Sequence, residues 1–147
     1  MSQEQYSVLI VDDDDVARKM ISFAMEKENF LSTRAADGAE ALELLKMRDF
    51  DLVITDLIMP NTHGHALAIH LLSQRERPMV VIHTSVVEPA MAKDLMNRGV
   101  DDIVFKPTDY GAFAAKMRSW VLRRRKVKRG LIELWQTFGM GNLDMKH

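Results

Sequence analysis

Four short apolar runs constrain this chain most. Val8–Val11, Leu52–Ile54, Met79–Ile82 and Ile103–Phe105 are rich in Val and Ile and do not alternate with polar residues. A strand with one wet face alternates; a strand covered on both faces does not, so these runs read as strands inside a parallel sheet. A weaker run, Phe30–Ala35, fits the same role. Helical spacing fills the intervals. Val16–Lys27 carries Val16, Met20, Phe23 and Ala24 on one side, and Ala39–Met47 carries Ala41, Leu42, Leu44 and Leu45. His65–Ser73 carries Leu67, Ile69, Leu71 and Leu72, and Pro89–Asn97 carries Met91, Leu95 and Met96. Asp37-Gly38 marks a turn, Pro60 and Gly64 interrupt the chain, and Gly99 stands where glycine ends a helix. Strand followed by helix, five times over, predicts a three-layer α/β domain with right-handed crossovers.

In such sheets ligands bind outside the carboxyl ends of the strands. Asp12 and Asp13 follow the first strand, Asp56 the third, Thr84 and Ser85 the fourth, and Lys106 the fifth. The first of these sites lies in SVLIVDDDDVARK, where an apolar run meets four aspartates. Two unit charges about 4 Å apart repel by roughly 1 kcal/mol in water, and by about 4 kcal/mol at an effective dielectric of about 20. Such crowding is tolerable around a hard divalent cation, and Mg²⁺ needs only two or three carboxylates because it keeps several waters. Asp14 and Asp15 read differently, as the N-cap and first turn of the following helix. Taken singly, Asp12 reads as a solvated loop charge, Thr84 as a strand-end hydroxyl and Lys106 as a surface lysine. Their coincidence at one rim is what points to chemistry.

Together, Asp12-Asp13, Asp56-Leu57-Ile58-Met59-Pro60, Thr84-Ser85 and Lys106-Pro107 resemble the pattern of the CheY-like receiver domains of two-component response regulators, over residues 6–125. The resemblance implies a doubly wound, flavodoxin-like (βα)5 sandwich with strand order 2-1-3-4-5. It implies that Asp56 accepts a phosphoryl group from a sensor histidine kinase, a phosphotransfer protein or a small phosphodonor. Asp12, Asp13, Asp56 and the main-chain carbonyl of Ile58 would hold Mg²⁺. Lys106 would pair with the phosphoryl oxygens, aimed inward by a cis bond to Pro107, and Thr84 would hydrogen-bond the phosphoryl group and carry the switch. The chemistry is coherent: phosphoryl transfer asks a protein mainly for positioning and charge neutralisation. A carboxylate serves as acceptor once a metal and a cation disperse the incoming charge. The implied role is a cytoplasmic signalling switch rather than a turnover enzyme.

The chain departs from that pattern in places. Ile103 stands where Tyr or Phe is usual, which puts the usual aromatic switch in question. His63 stands where an Asp is common; with no third ligand evident, His63 and His65 read as exposed loop residues, and His83 as a packed histidine. Ile58 and Val86 are apolar at positions flanking the hydrolytic water, so a slow loss of the phosphoryl group is expected. A haloacid-dehalogenase-type phosphatase needs a second Asp two residues after the first; Ile58 occupies that position. A flavodoxin-like cofactor binder needs a phosphate loop after the first strand, where this chain has four aspartates. A receiver-like scaffold that never sees phosphate, and a front piece of a longer regulator with its output domain elsewhere, stay open.

The 147 residues contain no cysteine, which excludes disulfides and thiolate metal sites. The polar start MSQEQYS reads as no signal peptide, and no apolar run reaches the roughly 20 residues a bilayer needs. The net charge of −1 is uneven: residues 1–112 carry 11 basic and 19 acidic side chains, residues 113–129 eight basic and none acidic. From Phe113 an apolar seam continues through Met117, Trp120, Arg124, Val127, Leu131, Leu134 and Phe138, in alternating steps of four and three. The expected division is a receiver over 1–125 and a helical extension or linker over 126–147. Two readings of the tail stand side by side: an ordinary last helix to Arg125 with a frayed linker, and an extended helix that pairs with a second copy as a homodimer. The run RRRKVKR reads as a solvated face or linker, not a direct DNA-binding element, because the tail is too short for an output domain.

Overall fold

The computed structural model of the chain describes residues 5–59 and 63–139. Five strands, β1 Tyr6–Val11, β2 Phe30–Ala35, β3 Leu52–Thr55, β4 Met79–Thr84 and β5 Asp102–Phe105, alternate with five helices. These are α1 Asp15–Lys27, α2 Gly38–Met47, α3 Gly64–Leu72, α4 Pro89–Asn97 and α5 Tyr110–Phe138. The strands form one parallel sheet in the order β2-β1-β3-β4-β5, as expected. Alternate residues of each strand feed two cores. Val8, Ile10, Ile54 and Val81 pack with Ile21, Met25, Phe113 and Met117 on one face. Leu9, Val53, Val80 and Ile82 pack with Leu67, Leu71 and Leu95 on the other.

The helix starts follow their local chemistry. Asp14 caps α1, its carboxylate accepting from the Val16 N–H at 2.9 Å, and Asp15 sits in the first turn, as expected. Asp37 caps α2 by accepting from the Glu40 N–H at 2.8 Å, while Glu40 reaches back to the Ala36 N–H at 2.9 Å. Gly99 follows α4 with φ of 90°, a conformation that glycine adopts without a Cβ penalty.

Two expectations need correction. The inward stripe of α1 is Ala17, Ile21 and Met25, with Ser22, while Val16, Met20 and Phe23 are exposed. Both stripes fit the helical period. The short Asp12–Asp14 connection to β1 fixes which one faces the sheet, and spacing does not encode that. The basic run is likewise not simply a solvated face. Arg124 donates to the Arg77 carbonyl at 2.6 Å, and Arg125 pairs with Asp51 at 2.6 Å. Asp51 also accepts from the Ser7 N–H at 2.8 Å, and the Arg118 and Arg125 guanidinium groups lie over the Tyr6 ring. These contacts fasten α5 to the foot of the sheet, opposite the strands' carboxyl ends. The helix then runs unbroken to Phe138, with Val127, Leu131, Leu134 and Phe138 exposed. Pro60 and the end of the tail, 140–147, lie outside the described residues. No helix among the described residues is long and apolar enough to cross a membrane.

Candidate functional site

Parallel pairing delivers each candidate residue to one rim and ties its backbone to a neighbouring strand. The Asp12 N–H donates to the Ala35 carbonyl at 3.1 Å, and the Asp56 N–H to the Val11 carbonyl at 2.9 Å. The Lys106 N–H donates to the Thr84 carbonyl at 2.9 Å. From these anchors the side chains converge. Lys106 Nζ donates to Asp12 Oδ2 at 2.7 Å and to Asp56 Oδ2 at 2.8 Å. The other oxygens are held too: Asp12 Oδ1 accepts from the Asp14 N–H at 2.9 Å, and Asp56 Oδ1 from the Ile58 N–H at 3.2 Å. Asp12 and Asp56 are buried and Asp13 is exposed. One carboxylate oxygen from each of the three lies within 4.8 Å of the others. That all-oxygen set, open to solvent on the Asp13 side, suits a small hard cation that keeps part of its water shell. The Lys106–Pro107 bond is cis.

The electrostatics follow from burial. Desolvation pushes the Asp12 carboxyl above the usual carboxylate range, against the pull of Lys106 and the Asp14 N–H. Burial opposes the charge on Lys106, but the hydrogen bonds and charges of Asp12 and Asp56 outweigh it and raise its pKa. The rim therefore holds its ammonium charged and one carboxylate under strain.

Around this centre, Thr84 is buried and donates to the Val86 carbonyl at 3.1 Å. Ile58 and Val86 are exposed. Ile103 is half-buried and packs on the core shared with Leu95. His83 is 1% exposed and sits in β4 between the Tyr110 and Phe113 rings, as a packed histidine. Neither of its ring nitrogens has a hydrogen-bond partner among the described residues. Burial, then the nearby Lys106 charge, push its pKa down to about 4. His63 is exposed ahead of α3, but His65 is not a loop residue: it lies in the first turn of α3, half-buried, 2.8 Å from Asp94 of α4.

Two contributors carry no clear sequence signal of their role. Arg18 donates to the Asp12 carbonyl and pairs with Asp15 at 2.9 Å; the i,i+3 spacing of Asp15 and Arg18 hints only at the second contact. Gly64 reads in sequence as a chain break. Its role is steric: a Cβ there would lie 1.8 Å from the Asp56 carbonyl oxygen, so only glycine lets α3 start against the Asp56 backbone.

Residues 8–118 match the family described as "Response regulator receiver domain". The chain belongs to the response regulator receiver family. Curated relatives include the transcriptional regulatory protein CseB of Streptomyces avermitilis, 31% identical over 121 residues that span 82% of this chain and 51% of that protein. The transcriptional regulatory protein SrrA of Staphylococcus aureus is 30% identical over 140 residues, 95% of this chain and 56% of that one. The receiver thus spans about half the length of these curated relatives. Among solved structures, the chemotaxis response regulator CheY4 of Vibrio cholerae superposes with a TM-score of 0.70 at 25% identity, covering 80% of this chain and 99% of that one. The signal receiver domain of a putative LuxO repressor protein from Vibrio parahaemolyticus shares the fold, with a TM-score of 0.77 at 20% identity over 87% of this chain and 98% of that one.

Proposed function

We propose that this receiver takes up one phosphoryl group on Asp56 and passes the change to a partner. The reading rests on one observation above all: Lys106 Nζ bridges Asp12 and Asp56 at 2.7 and 2.8 Å, and an Asp13 oxygen lies within 4.8 Å of theirs, so residues from three strand ends meet at one point. An Asp56 carboxylate oxygen attacks phosphorus as the bond from phosphorus to the donor's imidazole nitrogen or carboxylate oxygen breaks, and the donor leaves without its phosphoryl group. Asp12, Asp13 and Asp56, with the Ile58 carbonyl, would hold Mg²⁺, which would supply charge neutralisation. Lys106 shifts its ammonium from the carboxylates to the incoming phosphoryl oxygens. Thr84 turns its hydroxyl from the Val86 carbonyl toward the same oxygens, and Ile103, packed beside α4, repacks in response.

The donor is a histidine kinase or a phosphotransfer protein. Its approach is over the exposed apolar strip Val16, Met20 and Phe23 of α1, which begins one turn from Asp13. Loss of the phosphoryl group by hydrolysis is slow, and no other turnover is assigned. Incubation with Mg²⁺ and a small acyl phosphate, followed by intact mass measurement, tests the reading. The wild-type chain gains one phosphoryl group and Asp56→Asn gains none; modification of Asp56→Asn, or none in the wild type, overturns it.

A further inference from the structure

The seam along α5 changes character part-way. Phe113 and Met117 are buried in the chain's own core. Beyond Trp120 the apolar seam residues are uncovered: Val127 is 58% exposed, Leu131 43%, Leu134 50% and Phe138 69%. Where the helix leaves the body, Met79 and Asp101 form one wall of a groove of about 470 Å³, and Trp120, Arg124, Val127 and Leu131 form the other. One end of the free seam is therefore a groove, and the other is a projecting aromatic tip.

We propose that two copies of this chain pair through a two-fold axis beside Gly130, with their α5 helices antiparallel and each tip seated in the other copy's groove. Setting Trp120, where the seam leaves the core, opposite Phe138, the last helical residue, fixes every other layer. Arg124 then meets Leu134 of the second copy, and Val127 meets Leu131. Each layer joins the two alternating seam positions, the pairing that antiparallel helices require, and the contact is self-complementary as a two-fold interface must be. A parallel pair stacks Arg124 on its own copy and leaves both tips outside the grooves. A second copy is also the occupant that matches the seam in period and length. Val127, Leu131, Leu134 and Phe138 of both copies give eight exposed apolar side chains to the contact, the two Phe138 rings being of the kind that bury about 150–250 Å² each, toward the order of 1,000 Å² that a specific interface needs.

Gly130 supplies independent support. A glycine inside a helix weakens it relative to alanine. Among the described residues nothing in the monomer calls for one, since an added Cβ at Gly130 would meet no atom within 4 Å. In the antiparallel pair Gly130 faces Gly130 of the second copy across the axis, where a missing side chain lets the helices close. On the other flank Lys128 meets Lys128, a repulsion that salt screens.

The test is sedimentation of the full chain at about 0.1 mM and at two salt concentrations. A dimer that tightens as salt rises is expected; a monomer, or association that weakens with salt, overturns the pairing. Gly130→Ala decides between roles. It should strengthen the helix by circular dichroism yet weaken association at least fivefold, whereas unchanged or tighter association overturns the proposal. Because the chain has no native cysteine, engineered ones report direction. A mixture of Val127→Cys and Leu131→Cys chains should oxidise to the mixed dimer. Ready self-linking of Leu134→Cys would show a parallel pair and overturn the arrangement.

Discussion

Lys106 Nζ lies 2.8 Å from Asp56 Oδ2 while holding Asp12 at 2.7 Å, so one ammonium serves two buried carboxylates with Asp13 close by. The cluster carries more negative than positive charge. Without Mg²⁺, Asp56→Asn therefore relieves repulsion, and its thermal midpoint should exceed the wild type's by about 2–5 °C, for about 1 kcal/mol in a chain of this size. Added Mg²⁺ should stabilise the wild type more than the variant and close the gap. Thermal scans in chelator and in Mg²⁺ measure both, and an equal response of the two proteins to Mg²⁺ would count against the cluster as the cation site.

His83 predicts an acid-side loss of stability. Its folded pKa, about 4, lies below the ordinary 6.5. The unfolded chain thus binds the proton that the folded chain refuses, and stability falls as pH drops from 6.5 toward 4. The full effect is on the order of 3 kcal/mol. Asp12 acts in the opposite sense: with its carboxyl raised above 3.8 by burial, its ionisation costs stability as pH rises through the window just above that value. His83→Leu, which also removes two unpartnered ring nitrogens, should flatten the slope of the urea midpoint between pH 7 and 4.5. A slope unchanged from wild type would refute the assignment.

The exposed, apolar Ile58 side chain has no group that could hydrogen-bond a water attacking a phosphorylated Asp56. Ile58→Asn supplies one, and a bond of about 1.4 kcal/mol in the transition state speeds decay roughly tenfold. The decay of the phosphorylated mass with time gives the comparison, and equal or slower loss in the variant argues against this account.

Gly64→Ala drives a Cβ into the Asp56 carbonyl. The backbone must shift, at a cost of about 1–3 kcal/mol, and the acceptor shifts with it. Both the denaturation midpoint and the rate of phosphoryl uptake should fall. Uptake at the wild-type rate would show that the acceptor's position does not depend on this contact.

The sheet was legible because its central strands are buried on both faces, so Val8–Val11 and Met79–Ile82 announce themselves by composition alone, whereas the edge strands β2 and β5 are part-exposed. The rim was legible because parallel strands end together, which places Asp12, Asp56, Thr84 and Lys106 side by side before any coordinate is known. What spacing could not choose was phase. Two stripes on α1 satisfy the helical period, and only the linker from Asp12 decides that Ala17, Ile21 and Met25 turn inward. Contacts distant in sequence were also hidden. Arg125 finds Asp51 across 74 residues, and Gly64 meets the Asp56 carbonyl only once α3 has docked.

α5 starts four residues after Lys106 and continues for 29 residues, about 43 Å of stiff rod at 1.5 Å per residue. Its first half is clamped to the body as far as Arg125, and its last 13 residues project as a free arm of about 20 Å. A tilt of about 10° where the helix leaves Arg125 would sweep Phe138 through roughly 3 Å on that length, so an adjustment too small to disturb the sheet is still read out at the far tip.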